Sequence, residues 1–324
     1  MKVVALAGGV GGAKLADGLA RALPSGQLTV VVNTGDDFDH FGLHISPDLD
    51  TVCYTLAGLA NPDTGWGLAD ESWEALGAIK RLGGPDWFHL GDRDLGTHLE
   101  RTRRLSAGQP LSRISADFCH AWGVPVPVLP MSDQPVATSV ITREYGQLPF
   151  QEYFVHHACQ PQVTGFRFDG VERASPAPGV EEALKRADCV ILCPSNPWVS
   201  IAPILNVPGI RELVQTRTVV AVSPIVGGRA IKGPAAKMYT ELGIQPSALA
   251  VAKHYGSLLT GLVIDGVDAA QSDEIDRCGI ISYATNTVMV TPDDRLRLAQ
   301  EVLIFAERLV GGQTSYESLG DRPS

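Results

Sequence analysis

Two groups of residues near the N-terminus have types and spacing suited to chemistry. Gly8-Gly9-Val10-Gly11-Gly12 puts four glycines in five positions with Lys14 just beyond, and acids follow at Asp36, Asp37 and Asp50. Glycines let the backbone reach positive φ and let a ligand approach main-chain N–H groups. A helix starting there adds unpaired amides and a positive dipole end, so the segment makes a seat for a diphosphate, with Lys14 as counter-charge. The carboxylates suit a hard cation that keeps several waters, such as Mg²⁺. Together the two groups describe phosphoryl transfer by positioning and charge neutralisation, with a carboxylate available to orient an attacking hydroxyl.

The glycine motif matches neither of two familiar fingerprints. Gly9-Val10-Gly11 opens like G-x-G-x-x-G, but Lys14 stands where the third glycine lets the helix pack closely. A P-loop needs Gly-Lys-Ser/Thr, and Gly12 is followed by Ala13-Lys14-Leu15. A general diphosphate cradle remains. The plain alternative is an ordinary strand-to-helix turn, which four glycines exceed. Ser46-Pro47-Asp48-Leu49-Asp50 reads as a helix start; capping accounts well for Asp48 and less well for Asp50.

The elements that must position these residues alternate between strand and helix. Lys2–Ala7 reads as a buried parallel strand, Ala13–Leu23 as a helix, and Leu28–Val32 as a second strand that delivers Asn33 and Asp36-Asp37. A helix over Glu71–Leu82 precedes a short strand, Trp87–Leu90, ending in Gly91-Asp92-Arg93-Asp94. Between 109 and 179 the alternation breaks: a helix at Leu111–Trp122, then short strands around Val126–Leu129, Ala137–Thr142 and Gln151–Val155, read as a smaller inserted α+β subdomain. Alternation resumes with the strands Cys189–Cys193 and Thr218–Val222, leading to Ser195-Asn196 and Ser223–Gly228, then Leu262–Asp265, Thr285–Val290 and a helix Asp293–Val310. The expected fold is α/β, a Rossmann-like mostly parallel sheet with helices on both faces. Its core comprises 1–108 and 180–310, and 311–324 forms a flexible tail. Parallel strands end along one line, so the turns at Gly8–Gly12, Asn33–Asp37, Gly91–Asp94, Ser195-Asn196 and Ser223–Gly228 are expected to converge.

Composition narrows the partners. A net charge of −10 and a pI near 5.2 provide no basic face for nucleic acid or an acidic membrane. No apolar run reaches the ~18 residues of a membrane span, and no signal peptide is evident, so a cytoplasmic protein is expected. Cys189 and Cys193 share a strand face and read as buried reduced thiols; His156-His157 lacks a patterned partner and reads as surface.

Several strings occur in the same order, from the first strand to the last helix, as in one known family. Gly-Gly-Val-Gly-Gly-Ala-Lys (8–14), Val-Asn-Thr-Gly-Asp-Asp (32–37), Ser-Pro-Asp-Leu-Asp-Thr (46–51), Leu-Gly-Asp-Arg-Asp (90–94) with Thr97-His98, Pro-Met-Ser-Asp (130–133), Pro-Ser-Asn-Pro (194–197) and Ser-Pro-Ile-Val-Gly-Gly (223–228) resemble the 2-phospho-L-lactate transferases of deazaflavin coenzyme F-420 biosynthesis. The resemblance implies a Mg²⁺-dependent enzyme. It would move a phosphorylated three-carbon acid from a guanosine diphosphate donor to the terminal ribityl hydroxyl of 7,8-didemethyl-8-hydroxy-5-deazariboflavin (Fo), releasing GMP. By matching motif, Asp50 would contact the Fo hydroxyl and the metal, and Asp36 would be a second metal ligand or the base. The glycine loop (Gly8, Gly9, Gly11, Gly12), Lys14, Asn33, Asp37, Ser195, Asn196, Ser223, Gly227 and Gly228 would hold the donor, with Arg93 a second charge-offsetting group. Asp92 and His89 would lie on the substrate side, and Trp66, Trp87 or Phe88 would stack on the acceptor ring. Whether the donor carries a lactyl, enolpyruvyl or glyceryl group stays open, and a homodimer is the expected assembly.

Two other readings carry their own signatures. A nucleotide-sugar-binding regulator would keep phosphate donors without an organised acidic partner, which the cluster of aspartates opposes. A nicotinamide dehydrogenase could use Asp36 on a ribose, which Lys14 and the missing hydride-transfer constellation oppose.

Overall fold

The computed structural model describes residues 1–312. Val3–Ala7 (β1) is apolar at every position: Val3, Ala5 and Ala7 enter one core and Val4 and Leu6 the other. That is the pattern of a strand in a parallel sheet covered on both faces. The chain turns into α1 (Gly9–Ala22) and returns as β2 (Leu28–Val32), parallel to β1 with Val3 opposite Leu28. A hairpin of β3 (Phe38–His40) and β4 (Leu43–Ile45) leads into α2 (Pro47–Leu56). Then come α3 (Glu74–Arg81), α4 (Asp92–Ser106), α5 (Leu111–Ala121) and β5 (Val128–Pro130), which pairs with β2. A separate antiparallel sheet holds β6 (Ala137–Thr142), β7 (Gly146–Pro149) and β8 (Val163–Asp169).

The chain re-enters the main sheet on the other side of β1 as β9 (Cys189–Leu192), followed by β10 (Thr218–Val222). A small hairpin, β11 (Ile225–Val226) and β12 (Arg229–Ala230), precedes β13 (Gly261–Asp265) and β14 (Ile281–Thr285). The seven-stranded order is β14-β13-β10-β9-β1-β2-β5, every neighbour parallel. The winding reverses between β1 and β9, and the crevice above their C-terminal ends is where such sheets bind ligands. The closing helix Pro292–Val310 crosses α1 so tightly that a Cβ on Gly18 would lie 2.1 Å from the Arg295 carbonyl oxygen. The crossing is pinned by Asp17, which pairs with Arg295 at 3.1 Å.

Several elements differ from the sequence reading. Trp87–Leu90 forms no strand; Phe88 and Trp87 pack on Phe38 with ring centroids 4.8 and 6.1 Å away, so their apolar character serves an aromatic cluster. The strand placed around Val126–Leu129 in the insert is β5 at the edge of the main sheet. Gln151–Val155 is no strand either: Glu152–His156 is a π-helical turn. The last strand ends at Thr285, leaving Thr287–Met289 as a loop. Helix α3 starts at Glu74, because Asp92 binds the Glu74 and Ala75 amides from outside, both at 2.9 Å. Of the expected tail, Gly311-Gly312 forms a turn and 313–324 lies outside the described residues.

Candidate active site

The reversal point is held together by the glycine turn itself. Ser195, one residue past Pro194 at the end of β9, accepts a hydrogen bond from the Gly8 amide (3.1 Å) and donates to the Gly8 carbonyl (2.8 Å). A Cβ on Gly11 would stand 2.4 Å from the Pro194 carbonyl oxygen, and one on Gly12 would stand 2.5 Å from Ser195 Oγ. These glycines therefore admit the neighbouring loop of the protein, and Gly9, with φ +64°, supplies the left-handed turn. A cavity of about 100 Å³ opens beside the first turn of α1, lined by Gly11, Lys14, Asn196, Ser223, Lys232 and Met289 among others. Lys14 Nζ donates to the Met289 carbonyl at 2.7 Å. Burial lowers the Lys14 pKa, and the charges of Arg295 and Lys232 lower it further. Asn196 Oδ1 accepts from the Trp198 amide at 3.0 Å, and Ser223 Oγ donates to the Ile225 carbonyl at 2.9 Å. Gly227 and Gly228, with φ +55° and +75°, form the hairpin turn between β11 and β12, and the Gly227 amide donates to Asp268 at 2.9 Å.

Beneath the turn lies an acidic cluster. Asn33 Nδ2 donates to Asp48 Oδ2 (2.9 Å) and reaches Asp36 Oδ1 (3.3 Å), while the Gly9 amide donates to Asp48 Oδ1 at 2.6 Å. Gln151 Nε2 donates to Asp36 Oδ2 at 3.2 Å. Asp37 takes the Ser46 hydroxyl at 2.8 Å and faces His44 Nε2 at 3.1 Å, but its Oδ1 is buried with no hydrogen-bond partner among the described residues. The partners of Asp36 and Asp48 are thus neutral, amides together with the Ser200 hydroxyl on Asp48. Burial, then repulsion from Asp48 and Asp37, raises the Asp36 pKa well above the usual carboxylate range. Burial pushes Asp48 up to about 6, with Asp37 adding to the rise and the Asn33 and Gly9 hydrogen bonds opposing it. Asp36 and Asp48 share the Asn33 amide and have only neutral donors, so this pair, with water completing the shell, could hold Mg²⁺; Asp37 is not brought within reach of the same ion.

Asp50 faces elsewhere. Two residues along an α-helix is a rotation of about 200°, which turns Asp50 from the glycine loop towards α4. There Arg101 clasps both carboxylate oxygens, Nη1 at 3.0 Å from Oδ2 and Nη2 on Oδ1. His98 Nδ1 lies 3.2 Å from Arg101 Nη1, and Tyr54 donates to Asp94 at 2.6 Å, extending the buried network. Burial raises the Asp50 pKa, while Arg101 and His98 pull it back.

The structure thus brings Gly8, Gly9, Gly11, Gly12, Lys14, Asn33, Asp36, Ser195, Asn196 and Ser223 to one crevice. It leaves Asp92, Arg93 and His89 apart. Asp92 takes the Ser72 hydroxyl at 2.6 Å besides its two amides, and Arg93 donates to the Ala69 carbonyl at 2.7 Å. Exposed His89 lines a smaller cavity with Trp66, Trp73, Glu71 and Asp94. No strand precedes the Gly91–Asp94 turn, and it meets the Asp50 network through Asp94 rather than the glycine crevice. Four residues enter unannounced: Asp48, read as a cap; Gln151, read as strand; and Arg101 and Lys232, which carry no local signal.

Comparison with known proteins follows the same geometry. The family model described as 2-phospho-L-lactate transferase CofD matches residues 3–306. The chain belongs to this family. It is a transferase, 44% identical over 316 residues to a phosphoenolpyruvate transferase of Streptomyces griseus, covering 95% of this chain and 99% of that one. A phosphoenolpyruvate transferase of Thermobifida fusca is 46% identical over 283 residues, 83% of this chain and 88% of the relative. In structure this transferase is similar to a UPF0052-family protein of Bacillus halodurans, with TM-score 0.63, 17% identity, and 93% of this chain and 99% of that chain covered. That likeness concerns the fold.

Proposed function

We propose that this transferase moves a phosphorylated three-carbon acid from a guanosine diphosphate donor to the terminal ribityl hydroxyl of Fo, with Mg²⁺, in coenzyme F-420 biosynthesis. The names of the relatives favour an enolpyruvyl group as the acid carried. The observation that carries the reading is the 2.6 Å contact between the Gly9 amide and Asp48, which puts the anion seat and the acidic cluster in one site. A binding protein for anions would need only the first, and a cation site only the second.

In this reading the α1 amides that follow Gly9, with Lys14, receive the diphosphate, and Ser223, Asn196 and the Thr287–Met289 loop enclose the nucleotide side. Asp36 and Asp48, with water, would hold Mg²⁺, which when bound would neutralise diphosphate charge and ease the departure of GMP. Asp50 keeps the role that the family resemblance implies towards the acceptor. Arg101 fixes its orientation, and its two-sided clasp is the reason Asp50 is not placed among the cation's ligands here. The ribityl oxygen forms a new bond to the phosphorus that bears the three-carbon acid, its proton passes to a carboxylate of the site, Asp36 or Asp50, and the bridging P–O bond to GMP breaks. Among the described residues no helix is long and apolar enough to cross a membrane. A cytoplasmic homodimer is the setting we propose.

The test is to mix the protein with Fo, Mg²⁺ and, in turn, enolpyruvyl, lactyl and glyceryl diphosphoguanosine donors, following GMP and a new anionic deazaflavin by chromatography. Release of GMP only when Fo is present supports the reading. No product with any donor, alongside tight binding of NAD or a uridine sugar, overturns it.

A further inference from the structure

The π-helical turn Glu152–His156 brings together three side chains that the transfer chemistry does not use. One ligand atom from each of Glu152, His156 and His157 lies within 4.8 Å of the other two, and Glu152 Oε1 is 3.9 Å from His157 Nε2. The geometry points to a binding site for a borderline transition cation of the Zn²⁺ or Ni²⁺ class, whose occupation holds the turn, and with it Gln151, in place on Asp36.

The backbone makes the site possible. In an α-helix a residue five positions on is about 140° round the axis. Here the His157 amide donates to the Glu152 carbonyl at 2.9 Å, the i to i+5 pattern of a π turn, and the two imidazoles stack on each other with centroids 5.1 Å apart, within reach of Glu152. The segment then ends with two consecutive non-glycine residues in the left-handed region, Ala158 (φ 46°) and Cys159 (φ 58°). Wide turns and left-handed non-glycine residues cost energy and concentrate where a site requires them.

The rings are also oriented. His156 stacks on Trp87, with centroids 5.3 Å apart and planes at 18°, and His157 rests 4.8 Å from Tyr145. Tetrahedral bonds of about 2.0–2.1 Å place ligand atoms about 3.4 Å apart, so the Glu152–His157 pair needs about half an ångström of closure. Partly exposed side chains supply that by small rotations, and water completes the shell. Two imidazoles and one carboxylate favour Zn²⁺, Ni²⁺ or Cu²⁺, whereas Mg²⁺ prefers oxygen alone.

Gln151, the residue before the turn, is buried and donates to Asp36 at 3.2 Å. A cation gripping the turn therefore limits how far Gln151 can withdraw from Asp36. The site is independent of the substrate assignment above, since it needs neither Fo nor a nucleotide.

The test uses full-length, tag-free protein titrated with Zn²⁺ by calorimetry and with Ni²⁺ by tryptophan fluorescence. One equivalent should bind at micromolar concentration, and Ni²⁺ should quench the Trp87 contribution. The surface double variant His156→Ala/His157→Ala should lose affinity by about tenfold or more, and Trp87→Phe should keep binding while losing the quench. Excess Mg²⁺ should not displace Zn²⁺. Absence of binding, displacement by Mg²⁺, or stoichiometry and affinity unchanged in the double variant, the mark of an adventitious ion only, each overturns the site.

Discussion

Asp48 and Asp50 lie two residues apart on α2 and meet opposite surroundings. Asp48 and its neighbour Asp36 are held by an asparagine, a glutamine, a glycine amide and the Ser200 hydroxyl, all neutral, so their charge is not compensated within the fold. Asp50 is closed by Arg101 and joined to His98, and that cluster is neutralised as the chain folds. The difference assigns the two clusters different work. An uncompensated buried anion is costly until a cation arrives, so the Asp48 side is where ligand binding has most to gain. A clasped carboxylate keeps its direction whether or not ligand is present, which suits a group that must face an incoming hydroxyl.

The largest expected effect lies on the Asp50 side. Asp50→Asn should lower turnover by about 10²–10⁴-fold, measured as GMP release with saturating donor, while Asp48→Asn should instead raise the Mg²⁺ concentration needed for half-maximal rate. If Asp50→Asn turns over like the parent, Asp50 has no chemical role. Stability should separate the clusters next. Arg101→Met leaves Asp50 buried without its partner and should cost about 3–5 kcal/mol in urea unfolding. Arg101→Met/Asp50→Leu should recover most of that loss. Equal instability in the double variant would mean that Arg101 matters through packing rather than charge.

The pH dependence tests the Asp48 side. Its folded pKa of about 6 exceeds the unfolded value of about 3.9, so the protonated form is favoured by folding. The contribution is complete below about pH 4 and is lost as pH rises through about 6. Asp48→Asn should flatten this part of the stability profile between pH 4 and 6. Mg²⁺ requires the ionised form, so its effect on melting temperature should grow across the same interval. A Mg²⁺ shift that is independent of pH would remove Asp48 from the cation site.

Asp50 itself is legible in the sequence, but its partner Arg101 is not. Strands β1, β2, β9, β10 and β13 announce themselves by short, mostly apolar runs, and the glycine cluster marks the crevice they create. Arg101 gives no such sign: on a helix that also carries Arg103 and Arg104 it resembles a solvated residue, and its partner is 51 positions away. Asp48 was obscured by its position behind Ser46 and Pro47, which imitates a cap, although the Ser46 hydroxyl in fact goes to Asp37. Trp87–Leu90 and Gln151–Val155 look like strands because apolar residues alternate or cluster there. Their partners, the Phe38 ring and the Asp36 carboxylate, come from distant segments. Periodicity reports which residues face a core; it carries no information on which distant polar group will meet them.

The smallest expected effect concerns how the crevice is covered. Lys232 Nζ donates to the Thr64 carbonyl at 2.6 Å, tying the loop after β12 to the loop that follows α2. Gly65, at φ +75°, presses that loop onto the glycine turn: a Cβ there would lie 2.7 Å from Val10. The Lys232 charge also acts on Lys14 across the cavity. The ammonium therefore has two possible acceptors, a loop carbonyl and an anion in the cavity, and an anion is the stronger competitor. Lys232→Met should change stability by no more than about 1 kcal/mol, since one exposed hydrogen bond is lost. It should raise KM for the donor by about tenfold while leaving kcat nearly unchanged, because the charge helps ground state and transition state alike. A fall in kcat at constant KM would move Lys232 from holding the donor to stabilising the departing GMP, and would extend the charge-compensating role of Arg101 to the Asp48 side as well.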